Sequence, residues 1–102
     1  MTPRKRAMSR ATLAVLAAMA DGDSYGFDIM DATGLPSGTV YPILARLESR
    51  GLAESDWEDP RLHHAEGRPA RKYYRLTAAG GSVLTTERDR IRALGLRLPR
   101  LA

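Results

Sequence analysis

The apolar positions of this chain change their spacing along its length, and the changes divide it into elements. Leu13, Leu16, Ala17 and Ala20 fall at i, i+3, i+4 and i+7, the spacing that lines one face of an α-helix. They predict a first helix from Ser9 or Arg10 to Ala20, stopped by the turn pair Asp21-Gly22. Ser24 or Asp23 can cap a shorter second helix, running from Tyr25 toward Thr33 and ending at Gly34, with Phe27 and Met30 facing inward. The same spacing returns at Val40, Ile43, Leu44 and Leu47 in a third helix, closed by Arg50, Gly51 and Leu52. Only Leu35 and Pro36 separate Gly34 from its start, so the second and third helices form a helix-turn-helix unit.

After Gly51 the period becomes strand-like. Leu52 to Trp57 is short and mixed, whereas Arg71 to Leu76 alternates, with Lys72, Tyr74 and Leu76 on one side, and the two segments pair as a hairpin. The thirteen residues between them, Glu58 to Ala70, include Pro60, Gly67 and Pro69; they are too long for a tight turn and too polar to bury, which predicts a projecting loop. Thr77 then caps a further helix, whose Leu84, Ile91, Leu94, Leu98 and Leu101 lie near a seven-residue repeat, with Gly95 and Pro99 limiting its extent.

The outer face of the third helix departs from an ordinary solvated face. Opposite its apolar stripe stand Gly38, Pro42, Ala45 and Ser49, all small, with Tyr41 and Arg46 on the flanks. Proline is tolerated only near a helix start, so either Thr39 caps the helix or Ser37 does and the turn is distorted at Pro42. A helix this bare can come into contact with another surface, and the DNA major groove is about one helix wide. These residues alone do not separate a recognition helix from a surface helix that merely lacks charge.

Charge shifts that balance. Sixteen Lys and Arg against twelve Asp and Glu give a formal +4 and an isoelectric point near 10.0, suited to a polyanionic partner. Arg4, Lys5, Arg6 and Arg10 make the first ten residues purely basic, acids dominate from Asp21 to Asp59, and from Arg61 onward ten basic residues face three acidic ones. Without cysteine there are no disulfides or thiolate metal sites. No apolar run approaches the roughly 20 residues of a membrane span, and the basic start lacks a secretory core, so the expected location is cytoplasmic.

Three helices, a hairpin with a basic loop and a last helix define an α+β fold, mostly α with a small β-hairpin: a winged helix-turn-helix domain over residues 9–77, preceded by a basic arm at 1–8 and followed by a helix and tail at 78–102. The chain resembles PadR-type transcriptional regulators in four blocks. These are Ser24-Tyr25-Gly26-Phe27-Asp28-Ile29, Gly38-Thr39-Val40-Tyr41-Pro42, Arg46-Leu47-Glu48 with Gly51-Leu52, and Gly67-Arg68 with Arg71-Lys72-Tyr73-Tyr74-Arg75-Leu76-Thr77-Ala78-Ala79-Gly80. The Gly-Thr-x-Tyr-Pro block with Arg-Leu-Glu is the specific one. The resemblance implies a dimeric repressor that binds a palindromic operator in double-stranded DNA. Its third helix would enter the major groove through Ser37, Gly38, Thr39, Tyr41, Pro42 and Arg46, and Pro42 is the family's own proline. Its wing would touch the flanking backbone through Arg68, Arg71 and Lys72, and its last helix would make a homodimer seam from Leu84, Ile91, Leu94 and Leu98. The sequence departs from the pattern in the acidic, histidine-bearing stretch Glu58 to Glu66 and in ending soon after one helix, which puts a large C-terminal ligand region out of reach.

Each feature has a plainer alternative. Tyr41 can pack on the hairpin instead of facing DNA, Lys72 can guard a strand edge, and the arm at Arg4 to Arg6 can lie on DNA or be disordered. His63-His64 beside Asp56, Glu58, Asp59 and Glu66 suggests a metal, but no second ligand pair has metal spacing, which favours a solvated loop. Trp57 is expected to pack on the third helix. Neither a Gly-rich phosphate loop nor a nucleophile elbow is present, so no catalysis and no cofactor is expected. The competing function is a winged-helix protein-docking module, which the two cationic ends disfavour. A small effector seated between dimer subunits, as in some relatives, would modify the regulator reading rather than replace it.

Overall fold

Ser9 starts the first helix: its hydroxyl accepts from the Thr12 amide at 3.1 Å, and α1 runs Arg10–Ala20. The computed structural model describes residues 8–95. Every residue of α1 from Leu13 to Met19 is buried, because α2 (Gly26–Thr33), α3 (Ser37–Ser49), α5 (Ala78–Ala93) and the hairpin all pack around it. Leu16, Val15, Ile29, Leu44 and Val40 are the fully buried centre of this core. Each such side chain contributes roughly 2 kcal/mol by leaving water.

The second helix begins differently from the expectation. Its cap is Tyr25, with no side-chain cap bond; neither Ser24 nor Asp23 caps it. The reason lies in the hairpin, since the Tyr74 amide donates to the Ser24 carbonyl at 2.6 Å and Tyr25 bridges to Tyr73. The chain at 24–25 is therefore held extended against the outer edge of the second strand. Of the two residues expected inside, Met30 packs on the core, but Phe27 is 56% exposed. Ile29 and Gly26 take the buried positions instead.

In α3, neither Thr39 nor Ser37 is the cap: Pro36 is, and Ser37 is already helical, so Pro42 lies inside the helix. The carbonyl that its missing amide would have bonded belongs to Gly38, an exposed residue that water can reach. The helix ends as its sequence requires. The Leu52 amide reaches the Leu47 carbonyl at 2.9 Å and the Gly51 amide the Glu48 carbonyl at 3.1 Å, with Gly51 at φ 72°.

Strands β1 (Ala53–Trp57) and β2 (Lys72–Leu76) pair antiparallel, from Ala53 opposite Leu76 to Trp57 opposite Lys72. The segment expected to be a projecting loop contains a helix, α4, Pro60–Glu66. Asp59 caps it by accepting from the Arg61 amide at 2.9 Å, Pro60 fills the first turn and Gly67 ends it at φ 63°. No residue of α4 is buried.

Thr77 caps α5 through the Gly80 amide at 3.1 Å and donates its hydroxyl to the Gly51 carbonyl at 2.7 Å. Gly80 is required there, since a Cβ would collide with the Leu52 carbonyl oxygen. Leu84 and Ile91 are only 3% and 7% exposed and belong to the protomer's own core. Their apolar surface is thus already covered within one chain. Leu94 is 60% exposed, and Leu98 lies outside the described residues. Among the described residues, no helix is long and apolar enough to cross a membrane.

Candidate nucleic-acid interface

With Val40, Ile43, Leu44 and Leu47 holding one face of α3 in the core, geometry turns the other face outward. Ser37, Gly38, Tyr41, Pro42, Ala45, Arg46 and Ser49 are exposed and Thr39 is half-buried. Apart from the Tyr41 ring and the Arg46 guanidinium, nothing large stands on this face, so a partner can approach its backbone closely. Among the described residues Arg46 has no ion-pair partner, and neither does Arg50, which caps the C-terminal end. Sequence reasoning used Arg50 only as a helix stop; its place one turn beyond Arg46 on an exposed surface was the signal.

Tyr41 has a second task. Its hydroxyl and ring edge lie over Gly26, where a Cβ would collide with them. Burial, then the nearby Tyr25 and Tyr74 hydroxyls, push its phenol pKa up. It therefore packs on the first turn of α2 while 39% of its surface stays open.

The wing is organised by Glu58, a buried acid. Its Oε1 and Oε2 accept from Arg68 Nη1 at 2.5 Å and Nη2 at 3.0 Å, and Oε1 also accepts from the Arg71 amide at 2.9 Å. Arg68 Nε bonds Glu66 as well. The Arg68 hydrogen bonds hold the Glu58 carboxyl below its ordinary pKa and, with Glu66, raise that of Arg68. Arg68 was expected to contact phosphate. Instead its donors are spent on two carboxylates, and it folds the α4 segment back onto the strands. His63 takes part in this closure, its Nδ1 lying 3.1 Å from the Arg68 carbonyl. Among the described residues no group of three His, Cys, Asp or Glu is placed to hold a metal.

The other wing cations are largely matched. Lys72 Nζ lies 3.8 Å from Glu48, a carboxylate that also accepts from Ser55. Arg75 pairs with Glu54 at 2.8 Å and Asp56 at 2.5 Å. Arg61 pairs with its own helix cap, Asp59, at 2.6 Å. Arg71 differs. It has no carboxylate partner among the described residues, and its guanidinium sits 4.8 Å from the Tyr25 ring centre. Tyr73 raises its pKa, and the residue lines the cleft that Tyr41 of α3 borders from the other side. Trp57 does not pack on α3; it is 65% exposed, with Lys72 Nζ 5.7 Å from its ring.

This arrangement presents a bare helix carrying Arg46 and Arg50 beside a wing that carries Arg71 immediately before β2. Comparison with known proteins identifies the same architecture. The model of the transcriptional regulator PadR-like family matches residues 15–86, more than half of the chain. A PadR family transcription regulator from Clostridium difficile R20291 superposes with a TM-score of 0.74 at 26% identity, over 85% of this chain and 92% of that one. A PadR-like transcription factor from Bacteroides fragilis gives 0.72 at 26%, over 82% of each chain. A PadR family regulator from Eggerthella lenta gives 0.67 at 27%, over 84% of this chain and 78% of that one. No curated protein matches the chain.

Proposed function

Because the chain belongs to the PadR-like family of transcriptional regulators, we propose that it is a cytoplasmic repressor that binds a palindromic operator as a homodimer, with α3 in the major groove. The observation that carries this reading is the outer face of α3: small residues, no acid, and an Arg46 free of any ion pair among the described residues. A guanidinium on such a face can bond a guanine edge with two parallel hydrogen bonds. Ser37, Gly38, Thr39, Tyr41 and Pro42 form the approach surface around it. Arg50 and Arg71 would meet the bordering phosphates, and Lys72 contributes less because Glu48 shares its charge.

The labour divides by segment. Residues 9–77 bind DNA, the arm at 1–8 adds backbone charge, and residues 78–102 join the protomers. Leu84 and Ile91 are engaged in the core, and of the proposed seam residues Leu94 is the one that the described residues leave exposed. Two-fold symmetry of the protein then sets two half-sites about one helical turn apart. The test is a band-shift titration of Arg46→Ala against a duplex selected from a random library and its single-base variants. Arg46→Ala should lose roughly 1–3 kcal/mol on the selected site and relax preference at one position of each half-site. Wild-type discrimination by the variant would remove Arg46 from base readout.

A further inference from the structure

Glu48 is the one acid of α3, and it reaches away from its own helix to meet both strands of the wing. Its Oε2 accepts from the Ser55 hydroxyl of β1, and its Oε1 lies 3.8 Å from Lys72 Nζ of β2. Both strands can reach it because the hairpin register sets Ser55 opposite Tyr74 and Trp57 opposite Lys72, which places Ser55 and Lys72 on one face of the sheet. Arg46 and Arg50 stand two positions to either side of Glu48 on the helix, a spacing that does not share a face. Among the described residues neither pairs with it.

The other matched wing cations are held closely. Arg68 spends its donors on Glu58 and Glu66, and Arg75 and Arg61 pair with their carboxylates at 2.8 Å or less. Lys72 is held differently. At 3.8 Å its ammonium lies beyond hydrogen-bond length from Glu48, with the Trp57 and Tyr74 ring centres 5.7 Å and 5.6 Å away. Charge and ring faces keep it against α3 without saturating its donors, so a phosphate can compete for it.

We propose that Glu48 is a positioning residue for DNA binding: it holds Lys72 back from the backbone of the duplex, so that each wing brings one cation to a phosphate instead of two. The inference rests on the DNA-binding reading above and adds to it a carboxylate that sets the strength of binding. Lys72 follows Arg71 directly in the chain, and the flexible stem of a lysine lets its ammonium swing without moving the backbone. With Glu48 in place, drawing Lys72 to a phosphate leaves a carboxylate unpaired beside a polyanion, which opposes the move. The restraint acts on every sequence alike, since phosphates carry no sequence information.

Glu48→Gln keeps the shape of the side chain and an oxygen for the Ser55 hydroxyl while removing the charge. The freed Lys72 then adds one phosphate contact per protomer, which should steepen the slope of log K against log salt by about 1.8 for the dimer, or by about 0.9 for a monomer. Near 0.1 M salt this amounts to roughly fivefold to tenfold tighter binding per contact, on selected and random duplexes alike. Loss of a structural tether would instead weaken binding at unchanged slope. In a Lys72→Ala background, Glu48→Gln should steepen the slope no further, because the released cation is gone. Ser55→Ala removes the hydrogen bond and keeps the charge, so its slope should match the wild type. Fluorescence anisotropy at several salt concentrations reads each slope, with thermal unfolding confirming that each variant is folded. The proposal is overturned by an unchanged slope in Glu48→Gln, by equal steepening in Ser55→Ala, or by full steepening in the Lys72→Ala background, which would assign the effect to repulsion by Glu48 itself. Random DNA separates these failures from failure of the α3 reading. A chain that prefers no sequence still shows the Glu48 effect on random duplexes, and a chain that prefers its selected duplex without showing the effect overturns this proposal alone.

Discussion

Removing Arg68 and removing Arg71 should have opposite signatures in salt, although the two residues are three positions apart on one wing. Each phosphate neutralised by a protein cation contributes a slope of about −0.9 to log K against log salt. On α3 and the wing, the cations without ion pairs among the described residues are Arg46, Arg50 and Arg71, so the proposed dimer would draw six phosphate or base contacts from them, or about −5 if all six count. Between about 0.05 and 0.2 M salt that amounts to roughly three decades of affinity. Arg71→Ala removes one contact per protomer, making the slope shallower by about 1.8 and reducing the loss over that range to about two decades. Arg68→Ala removes no phosphate contact, because Glu58 and Glu66 already hold that guanidinium. It should weaken binding at every salt concentration by releasing the wing, while leaving the slope unchanged. Fluorescence anisotropy of a labelled duplex at four or more salt concentrations reads both slopes. A slope that falls equally in Arg68→Ala, or stays unchanged in Arg71→Ala, would refute the assignment of roles. A monomer would halve both values but keep their contrast.

Three further outcomes follow from the packing and the charge network. Leu44→Ala, at a position with no exposed surface, should cost roughly 2–5 kcal/mol in urea unfolding, because its neighbours on α1 cannot collapse into the space. Gly80→Ala should cost about 3 kcal/mol, the upper end for overpacking, since the new Cβ meets the Leu52 backbone carbonyl; a wild-type melting temperature would contradict the contact. The Glu58 carboxyl is held below its ordinary 4.5 by Arg68 first and by the Arg71 amide as well, so its stabilising effect is present at neutral pH and is lost as the pH falls below that value. Glu58→Gln should therefore flatten the fall in urea midpoint on acidification, and a variant with the wild-type acid profile would assign that fall to other carboxylates.

Much of the fold was legible because its signals are local and periodic. The spacing of Leu13 to Ala20 and of Val40 to Leu47 gives α1 and α3 almost to the residue, and Arg50-Gly51-Leu52 gives the turn after α3. Alternation through Lys72, Tyr74 and Leu76 gives the hairpin. What failed depended on contacts distant in sequence. Ser24 reads as a cap, but its carbonyl is claimed by Tyr74 from fifty residues away, which moves the start of α2 and turns Phe27 outward. Leu84 and Ile91 have a spacing that cannot distinguish a seam from a helix packed within its own chain, and here they join the core beside α1. In α4 the cap pair Asp59-Pro60 and the closing Gly67 were visible, and their polar setting concealed a short helix that buries nothing.

The candidate site divides in the same way. The bare face of α3 follows from helical geometry alone, so Gly38, Pro42 and Arg46 are where the sequence places them. The wing charges were counted in the sequence without partners, and only three-dimensional pairing shows that Arg68, Arg75 and Arg61 are matched while Arg71, among the described residues, is not. Tyr41 is readable as a flank residue, but its seat over Gly26 depends on how α2 meets α3.

The account rests on sequence-specific recognition by α3. Its most direct test is competition: the full chain is bound to a labelled duplex obtained by several rounds of selection from a random library, and unlabelled selected and random duplexes compete for it near physiological salt. A specific regulator should prefer the selected duplex by about a thousandfold or more, the lower end for such proteins, and the selected sequence should contain an inverted repeat with half-sites about one helical turn apart. Selection that yields no duplex able to outcompete random DNA would contradict the account and leave only charge-driven, sequence-indifferent binding.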